Sequence, residues 1–331
     1  MLPGDMRGKG RHEARAMIGG AVDLAGAQGA CRVGLGAFTS IVTRGGETVT
    51  GRGVPVTSGN TLTTVAAVKA VTQLCARTGL ALEEAHVVVV GASGAIGRLG
   101  ALLLARRAGR MTLVCNAKNP FAPRLLAKVA DEIRLSLAET PARVAPGRLA
   151  QALRSGQGAQ GHGGGLICTT DLDAALAGAD IVLVATSSDT VLVDPTRLRP
   201  GTLVCDVARP PNVARADLSG SGVLVFDGGL VSPPAPVDLG PFQTLPANIA
   251  WGCLSETMLL ALSGETADFS IGSALSLEGA DLLASLAETH GFEPAPPQWY
   301  GDLVSENDLD SFAEQVRRKG RTVQGEVAAA G

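Results

Sequence analysis

The chain has 331 residues, enough for about two domains that each bury a core. Hydrophobic residues make up 46% and charged residues 18%, a balance that is typical of a folded globular protein and excludes extensive disorder. The net charge of −3 gives no basic footprint for nucleic acid, and no apolar run reaches the roughly 18 residues of a membrane span, so we expect neither partner.

The first 80 residues are predicted to form a small α/β segment. Apolar spacing predicts helices over residues 12–29 and 61–77, with the strand-like run "CRVGLGAF" and the loop "GRGVPVTSGNT" between them. The opening "MLPGDMRGKGRHEAR" is charged and glycine-rich, and no apolar segment of a secretory signal follows it. We therefore expect a cytoplasmic location.

Residues 81–230 are predicted to form a Rossmann-like domain. "HVVVVG" is a continuous β-branched run, as expected for a strand that is buried on both faces of a parallel sheet. Helices over 95–108 and 123–137 alternate with the strands "MTLVCN", "ADIVLVAT", "GTLVCDVA" and "GVLVFDGG". This alternation indicates an α/β fold with a doubly wound parallel sheet, and the glycine-rich stretch 139–165 is interpreted as a surface insertion.

The remaining residues are predicted to be mostly helical. Residues 231–294 contain the helix of Cys253 and a helix over 277–290, and we expect them to pack with residues 1–80 as a second, smaller α/β substrate domain. Residues 295–331 are predicted to be a linker followed by a tail helix that begins near residue 305.

The run "VVVVGASGAIGRLG" places three glycines between a strand and a helix, which is the context that a dinucleotide-binding loop requires. We expect Gly91 to make the tight turn, Gly94 to admit a pyrophosphate and Gly97 to let the helix pack on the strand. Free N–H groups at the helix start would bind the phosphates. The predicted cofactor residues of this loop therefore also include Ser93, Ala95 and Ile96.

The end of the second strand favours NADPH over NADH. An NAD site carries an acidic residue about twenty positions after the glycines, whereas no Asp or Glu occurs here before Asp131. Asn116 and Lys118 suit a 2′-phosphate, although Lys118 is also compatible with a solvated surface charge. Strand ends at the same sheet edge supply the further predicted cofactor residues Ala185, Thr186, Ser187, Gly228 and Gly229.

The six cysteines are dozens of residues apart, a spacing that favours neither a zinc site nor a disulfide framework, and we predict no metal. Five of them are interpreted as packing residues in strands or helices: Cys31, Cys75, Cys115, Cys168 and Cys205. Cys253, in the apolar helix "CLSETMLLAL", is either a core side chain or a nucleophile.

These motifs together resemble the long-chain acyl-[acyl-carrier-protein] reductases, which make fatty aldehydes in cyanobacteria. The similarity runs from about residue 14 to residue 292 and is carried by "LGAFTSIV", "VTSGNTLTT", "VVVVGASGAIG", "ADIVLVATSS", "FDGGLV", "CLSETMLLAL" and "THGFEP". The resemblance implies NADPH-dependent reduction of an acyl thioester, presented by an acyl carrier protein, to an aldehyde. It also implies that Cys253 is the acylated nucleophile. Since the chain begins just before "LGAFTSIV", we expect an N-terminally shortened homologue.

The implied chemistry sets expectations for the residues around Cys253. A thiolate is the attacking species, so the site is expected to lower the thiol pKa, which Glu256 would oppose unless it is paired or points away. Thr57, Ser58 and Asn60 either stabilise the oxyanion of a thiohemiacetal or cap the next helix. His290 either lines the site or ends its own helix.

Two other functions are compatible with the residues. A shikimate-dehydrogenase-like oxidoreductase also joins a small α/β domain to an NADP-binding domain, but only Lys9 and Lys69 precede the cofactor loop as candidates for its lysine. A non-catalytic NADPH-binding regulator would bind the cofactor without being acylated. The sequence leaves open the acyl chain length, the choice between carrier protein and CoA, and the oligomeric state, a homo-oligomer included.

Overall fold

A computed structural model describes residues 10–139, 146–155, 165–238, 245–246 and 248–329. The chain divides into two compact units. The first, called the cysteine unit, comprises Met1–Ala66 and Gly229–Ala295. The second, called the nucleotide unit, comprises Ala67–Gly228 and Pro296–Gly331.

Helices and strands alternate through much of the described chain. The helices are α1 Arg11–Ala27, α2 Phe38–Val42, α3 Asn60–Thr78, α4 Ala95–Ala105, α5 Ala122–Glu139, α6 Arg148–Arg154, α7 Leu172–Ala177, α8 Gly252–Leu262, α9 Leu277–Thr289 and α10 Glu306–Ala329. The strands are β1 Val33–Gly34, β2 Val56–Thr57, β3 His86–Val90, β4 Arg110–Val114, β5 Leu166–Thr169, β6 Ile181–Val184, β7 Leu203–Asp206, β8 Leu224–Asp227, β9 Leu230–Ser232, β10 Ala250–Trp251, β11 Glu293–Pro294, β12 Gln298–Trp299 and β13 Asp302–Leu303.

A six-stranded parallel sheet lies at the centre of the nucleotide unit. Its strand order is β5-β4-β3-β6-β7-β8, so the chain builds one half outward from β3 and then returns to start the other half at β6. Val87 of β3 is paired with Met111 of β4 on one side and with Ile181 of β6 on the other. This is a doubly wound Rossmann-type sheet, and the predicted fold class is confirmed.

Burial explains why the strands of this sheet are β-branched runs rather than alternating patterns. Every residue of β3 and of β6 is buried, because helices cover both faces of a doubly wound sheet. One cluster of the core contains Val88 and Val90 of β3, Val182 and Val184 of β6, and Val204 of β7. The carboxyl ends of β3 and β6 are therefore held side by side, at the point where the strand order reverses.

The cysteine unit is built from helices and two small sheets. Strand β1 pairs with β2 in parallel, and β9 lies between β10 and β11 in an antiparallel sheet. One core packs α1 through Ala14, Ile18 and Val22 against the β1–β2 region. A second core packs α3, α8 and α9 together through residues that include Leu62, Leu259 and Leu283.

Residues 298–303, predicted as part of a linker, form the antiparallel pair β12–β13, and two further segments also depart from the predicted elements. The run "CRVGLGAF" forms a strand of only two residues, Val33–Gly34, and the chain turns into α2 at Phe38. The predicted insertion contains a described helix, Arg148–Arg154, whose Leu149 and Ala150 are buried, whereas residues 140–145 and 156–164 lie outside the described residues. None of the described helices is both long enough and apolar enough to cross a membrane.

Candidate active site

The glycine loop of the nucleotide unit begins where β3 ends. Gly91 has φ +85°, a conformation that L side chains rarely adopt, and a Cβ atom added there would lie 2.5 Å from the carbonyl oxygen of Ala185. Only glycine permits this turn so close to the end of β6. The role expected of Gly91 in the tight turn therefore has a direct steric reason.

The other two glycines differ in what faces them. A Cβ atom at Gly97 would lie 2.2 Å from the carbonyl oxygen of Gly91, because α4 packs directly on the loop. A Cβ atom at Gly94 would meet protein only at ordinary contact distance, 3.4 Å from the same oxygen. Gly94 is exposed and immediately precedes α4. The first hydrogen bond of the helix runs from the Arg98 N–H to the Gly94 carbonyl at 2.8 Å. The N–H groups of Ala95 and Ile96 therefore have no acceptor inside the helix.

This arrangement fits a pyrophosphate. A side chain at Gly94 would meet protein only at ordinary contact distance, and the amino end of α4 carries N–H groups without an acceptor inside the helix and a partial positive charge. Ser93 lies in the same loop and accepts a hydrogen bond from the Cys115 thiol, with 3.0 Å between Sγ and Oγ. The loop is thus tied to the residue that follows β4.

Asn116 and Lys118 lie in the turn after β4, and both are exposed. The Asn116 side-chain oxygen accepts a hydrogen bond from the backbone N–H of Lys118 at 2.9 Å, which orders the turn. The Lys118 side chain therefore extends from an ordered turn directly after β4. The described residues offer no group of three or more His, Cys, Asp or Glu that could hold a metal ion.

The remaining predicted cofactor residues fall into two groups. Ala185, Thr186 and Ser187 follow β6, and the Ala185 carbonyl contacts the position of Gly91. By contrast, Gly228 and Gly229 have packing reasons to be glycine. A Cβ atom at Gly228 would lie 2.6 Å from the Cys205 sulfur, and one at Gly229 would lie 2.6 Å from the Thr63 methyl carbon.

Cys253 lies in the first turn of α8, which begins at Gly252, and its side chain is partly buried. Two glycines lie next to Cys253, and neither is among the site residues predicted from the sequence. A Cβ atom at Gly59 would lie 2.2 Å from the Cys253 Cα, and one at Gly36 would lie 3.6 Å from the Cys253 sulfur. A side chain at Gly36 would thus touch the Cys253 sulfur, while Gly59 lets the 57–60 segment contact the helix start.

The pKa of the Cys253 thiol is raised above its usual value, so the expectation of a lowered pKa is wrong for the free protein. Burial is the main cause, and the negative charge of Glu256 adds to it. Backbone N–H groups of Leu254, of Cys253 itself and of Ala37 act in the opposite direction. The sulfur therefore has backbone hydrogen-bond donors next to it, which sequence motifs do not reveal.

Ala37 has an unusual backbone conformation for a residue with a side chain, with φ 47° and ψ −121°. Such a conformation costs about 1–3 kcal/mol and persists where the surrounding structure enforces it. It lies directly before α2 and directly after Gly36, so the strained peptide is the one that borders the Cys253 sulfur.

Glu256 is completely buried one turn after Cys253, and it is paired. One carboxylate oxygen accepts a hydrogen bond from the Thr57 hydroxyl, and the other accepts the backbone N–H of Leu62 at 2.8 Å. Burial raises the pKa of this carboxyl, while these hydrogen bonds lower it. Glu256 thereby links α8 to the first turn of α3.

The three polar residues that were expected near an oxyanion have different roles. Thr57 and Ser58 are buried, and their hydroxyls donate to Glu256 and to the carbonyl of Ser270. Both hydroxyls are thus engaged within the protein. Asn60 is partly buried as the first residue of α3. His290 occupies the C-cap position of α9, with its N–H donating to the Leu286 carbonyl at 3.0 Å.

The other five cysteines separate into two groups. Cys75, Cys115 and Cys205 are buried, whereas Cys31 and Cys168 are exposed. The interpretation of the last two as packing residues is therefore wrong. Both lie in or beside edge segments that the sequence pattern does not distinguish from buried strands: Cys31 precedes β1, and Cys168 lies in the outermost strand, β5.

The sequence of the chain is similar to those of two characterised proteins. It is 31% identical over 311 residues to the aminotransferase PigE of Serratia sp. (strain ATCC 39006), a match that covers 92% of this chain but 32% of PigE. The chain therefore spans about a third of the length of PigE. It is 27% identical over 274 residues to the long-chain acyl-[acyl-carrier-protein] reductase of Synechococcus elongatus, covering 78% of this chain and 70% of that enzyme. No protein-family model matches the chain.

Solved structures resemble this chain only distantly, in both sequence and backbone geometry. Dipicolinate synthase A chain from Bacillus subtilis is 14% identical with a TM-score of 0.36, covering 73% of this chain and 62% of that one. The nucleotide-binding domain of glutamyl-tRNA reductase from Thermoplasma volcanium is 17% identical with a TM-score of 0.29, covering 49% of this chain and 84% of that one.

Proposed function

We propose that this chain is an NADPH-dependent reductase that converts an acyl thioester to an aldehyde through an acyl-enzyme on Cys253. The observation that carries the proposal is the placement of Cys253 in the first turn of α8, with backbone N–H donors at its sulfur and glycines at two of its borders. The similarity to the Synechococcus reductase, which extends over 78% of this chain, supports the same reaction class.

In this proposal the nucleotide unit holds the cofactor. The 91–97 loop binds the pyrophosphate, Asn116 and Lys118 bind the 2′-phosphate, and residues 185–187 bind the nicotinamide end. When bound, NADPH supplies a hydride. The support is steric as well as chemical, since a Cβ atom at Gly94 would meet protein only at ordinary contact distance and no acidic side chain follows β4 before Asp131.

Cys253 carries the acyl group in this proposal. Its thiol loses a proton, the sulfur attacks the thioester carbonyl, and the carrier thiol leaves with a proton as the new S–C bond forms. Holding the acyl group covalently converts a weak encounter into an intramolecular reduction. After reduction the same S–C bond breaks, the thiol regains its proton, and the aldehyde is released.

Backbone donors rather than hydroxyls stabilise the oxyanion in this proposal. The carbonyl oxygen of an acyl group on Cys253 is bonded to the carbon next to sulfur, so the N–H groups of Ala37 and Leu254 that border the sulfur are within its reach. The hydroxyls of Thr57 and Ser58 are already donated elsewhere. The strained backbone at Ala37 is consistent with a peptide that is held in place for such a role.

The proposal is tested by replacing the thiol alone. Cys253→Ser should keep the fold and the affinity for NADPH but lose aldehyde formation from an acyl-carrier-protein or acyl-CoA thioester, because a hydroxyl is far less ionised than a thiol. Cys205→Ser is the matched control, since Cys205 is buried in β7. It should lose stability but keep the specific activity of the folded fraction. Retention of most activity in Cys253→Ser would contradict the proposal.

The similarity to PigE favours a second candidate, in which this chain itself performs a transamination. An aldehyde is a suitable amino acceptor, so aldehyde formation and transamination are compatible consecutive reactions. Transamination by this chain is tested by supplying an aldehyde, pyridoxal phosphate and an amino donor to the purified protein. We expect no amine to form, because the match covers only a third of PigE; amine formation would favour the second candidate.

A further inference from the structure

Asn212 is a completely buried asparagine in the loop that follows β7, and its side chain contacts the loop that follows β6. Its side-chain oxygen accepts a hydrogen bond from the Thr186 hydroxyl. Its side-chain nitrogen donates to the carbonyls of Ser188 and Thr190, at 3.1 Å each. One amide thus binds both sides of residues 186–190, called here the 186–190 loop.

The Thr186 hydroxyl also binds within its own loop. It accepts the backbone N–H of Ser188 at 3.0 Å while it donates to Asn212. The two interactions fix the rotamer of Thr186, and they hold the backbone of Ser188 in a tight turn over it. The shape of the 186–190 loop therefore depends directly on a side chain from a different strand connection.

Asn212 is itself fixed by Asp206 at the end of β7. One oxygen of the buried Asp206 carboxylate accepts the N–H of Asn212 at 2.8 Å and that of Val213 at 2.9 Å, and the other oxygen accepts the N–H of Ala208 at 3.0 Å. Burial raises the pKa of Asp206 to about 6, against the opposite effect of these donors and of Arg209. The side chain of Asn212 is therefore presented from a rigid support.

We propose that Asn212 is a positioning residue that holds the 186–190 loop in the shape that receives the nicotinamide end of NADPH. The inference rests on the proposed function, which places residues 185–187 at the nicotinamide because they follow β6 at the point where the strand order reverses. Asn212 acts from behind the loop, through Thr186, Ser188 and Thr190. We therefore expect Asn212 to affect binding of the nicotinamide half of NADPH and not of the half that carries the 2′-phosphate.

This limitation gives the experiment its readout, which is binding rather than activity. The affinities of NADPH and of 2′-phospho-ADP-ribose, which lacks only the nicotinamide, are measured by titration calorimetry for the full chain and its variants. Asn212→Ala should weaken NADPH by about tenfold or more, the cost of losing buried hydrogen bonds that shape the loop. The same variant should change the affinity for 2′-phospho-ADP-ribose less than about twofold.

Two further variants keep the test decisive. Asn212→Asp keeps the oxygen that accepts the Thr186 hydroxyl but loses the N–H groups donated to Ser188 and Thr190, so it tests the same contacts if Asn212→Ala does not fold. Asn119→Ala is the matched control, since the Asn119 side chain accepts the N–H of Phe121 at 3.0 Å in a different loop of the same unit. Asn119→Ala should leave the ratio of the two affinities unchanged.

The outcomes distinguish the inference from the proposed function. Equal losses for both ligands, or no loss for either, in Asn212→Ala and Asn212→Asp would overturn the role of Asn212 while NADPH binding by the unmodified chain still stands. Failure of the unmodified chain to bind either ligand would instead overturn the proposed function, and the inference with it.

Discussion

A Cβ atom added to Gly59 would lie 2.2 Å from the Cα of Cys253 and 2.3 Å from its Cβ. No side chain can occupy that space without moving the backbone of one of the two residues. Gly59 is also at φ +73°, and its N–H donates to the Thr57 hydroxyl at 3.2 Å. The contact thus connects Cys253 to the same segment that Glu256 holds from α8.

Gly59→Ala should therefore destabilise the protein and displace Cys253. We expect the free energy of unfolding to fall by at least about 2 kcal/mol more than in Gly264→Ala, and acylation of the folded fraction to slow. Gly264 is a matched control because it has φ +72° but no atom within 4 Å of its added Cβ, so it reports the conformational cost alone. Chemical denaturation measures the free energy of unfolding of both variants. Equal losses of stability in Gly59→Ala and Gly264→Ala would contradict the prediction.

The three glycines of the cofactor loop should respond differently to a side chain. Gly94→Val should keep the fold and lose NADPH binding, because its Cβ would meet protein only at ordinary contact distance and the valine would occupy the space of the pyrophosphate. Gly97→Ala should instead lose about 1–3 kcal/mol of stability, since its Cβ would overlap the Gly91 carbonyl. Circular dichroism and cofactor titration separate the two effects. Normal NADPH binding by folded Gly94→Val would contradict the assignment of this loop.

The choice of cofactor should depend on Lys118. We expect NADPH to bind at least about tenfold more tightly than NADH, because the turn after β4 presents a lysine and no carboxylate. Lys118→Ala should remove most of that preference by weakening NADPH while leaving NADH unchanged. Lys128→Ala, an exposed lysine in the middle of α5, is the control and should change neither affinity. Equal affinities of the unmodified chain in a fluorescence titration would show that the preference is wrong.

The reactivity of Cys253 should rise steeply with pH, because burial holds its pKa above the usual value and the thiol is mostly protonated at neutral pH. Alkylation by iodoacetamide should accelerate by about tenfold per pH unit from pH 7 to 8.5. Glu256→Gln removes a negative charge that disfavours the thiolate, so its profile should move to lower pH. Glu265→Gln, which alters an exposed carboxylate, should leave the profile in place.

This measurement requires the modified peptide to be identified, since Cys31 and Cys168 are exposed and should react earlier. A background of Cys31→Ser and Cys168→Ser removes that interference. A profile of Cys253 that is already flat at pH 7, or one that Glu256→Gln moves to higher pH, would contradict the stated cause of the raised pKa.

Much of the nucleotide unit could be predicted from the sequence, because its signals are local. A β-branched run followed by glycines at fixed spacing predicts β3, the loop and α4, and the structure confirms the sheet. The role of Gly97 follows from the same short stretch, since its added Cβ would meet Gly91 and Ala92. The atoms that Gly91 would meet belong instead to Ala185 and Thr186, which follow the adjoining strand β6.

The surroundings of Cys253 could not be predicted in the same way, because they come from segments about 200 residues apart. Hydrogen bonds that join Thr57 and Leu62 to Glu256 depend on how α8 packs against α3, which no local pattern encodes. The donor at Ala37 is a backbone group in an unusual conformation, so the residue type gives no sign of it. Sequence reasoning therefore selected the hydroxyls of Thr57 and Ser58, which the fold uses internally.

The central claim, that Cys253 accepts an acyl group, is tested most directly by mass spectrometry of the intact protein. The chain is incubated with a fatty acyl thioester without NADPH, and the adduct is mapped by peptide analysis. We predict one acyl group, located on Cys253, that is absent in Cys253→Ser and is released as aldehyde when NADPH is added. The absence of an adduct, or an adduct located on Cys31 or Cys168 that NADPH does not release, would contradict the claim.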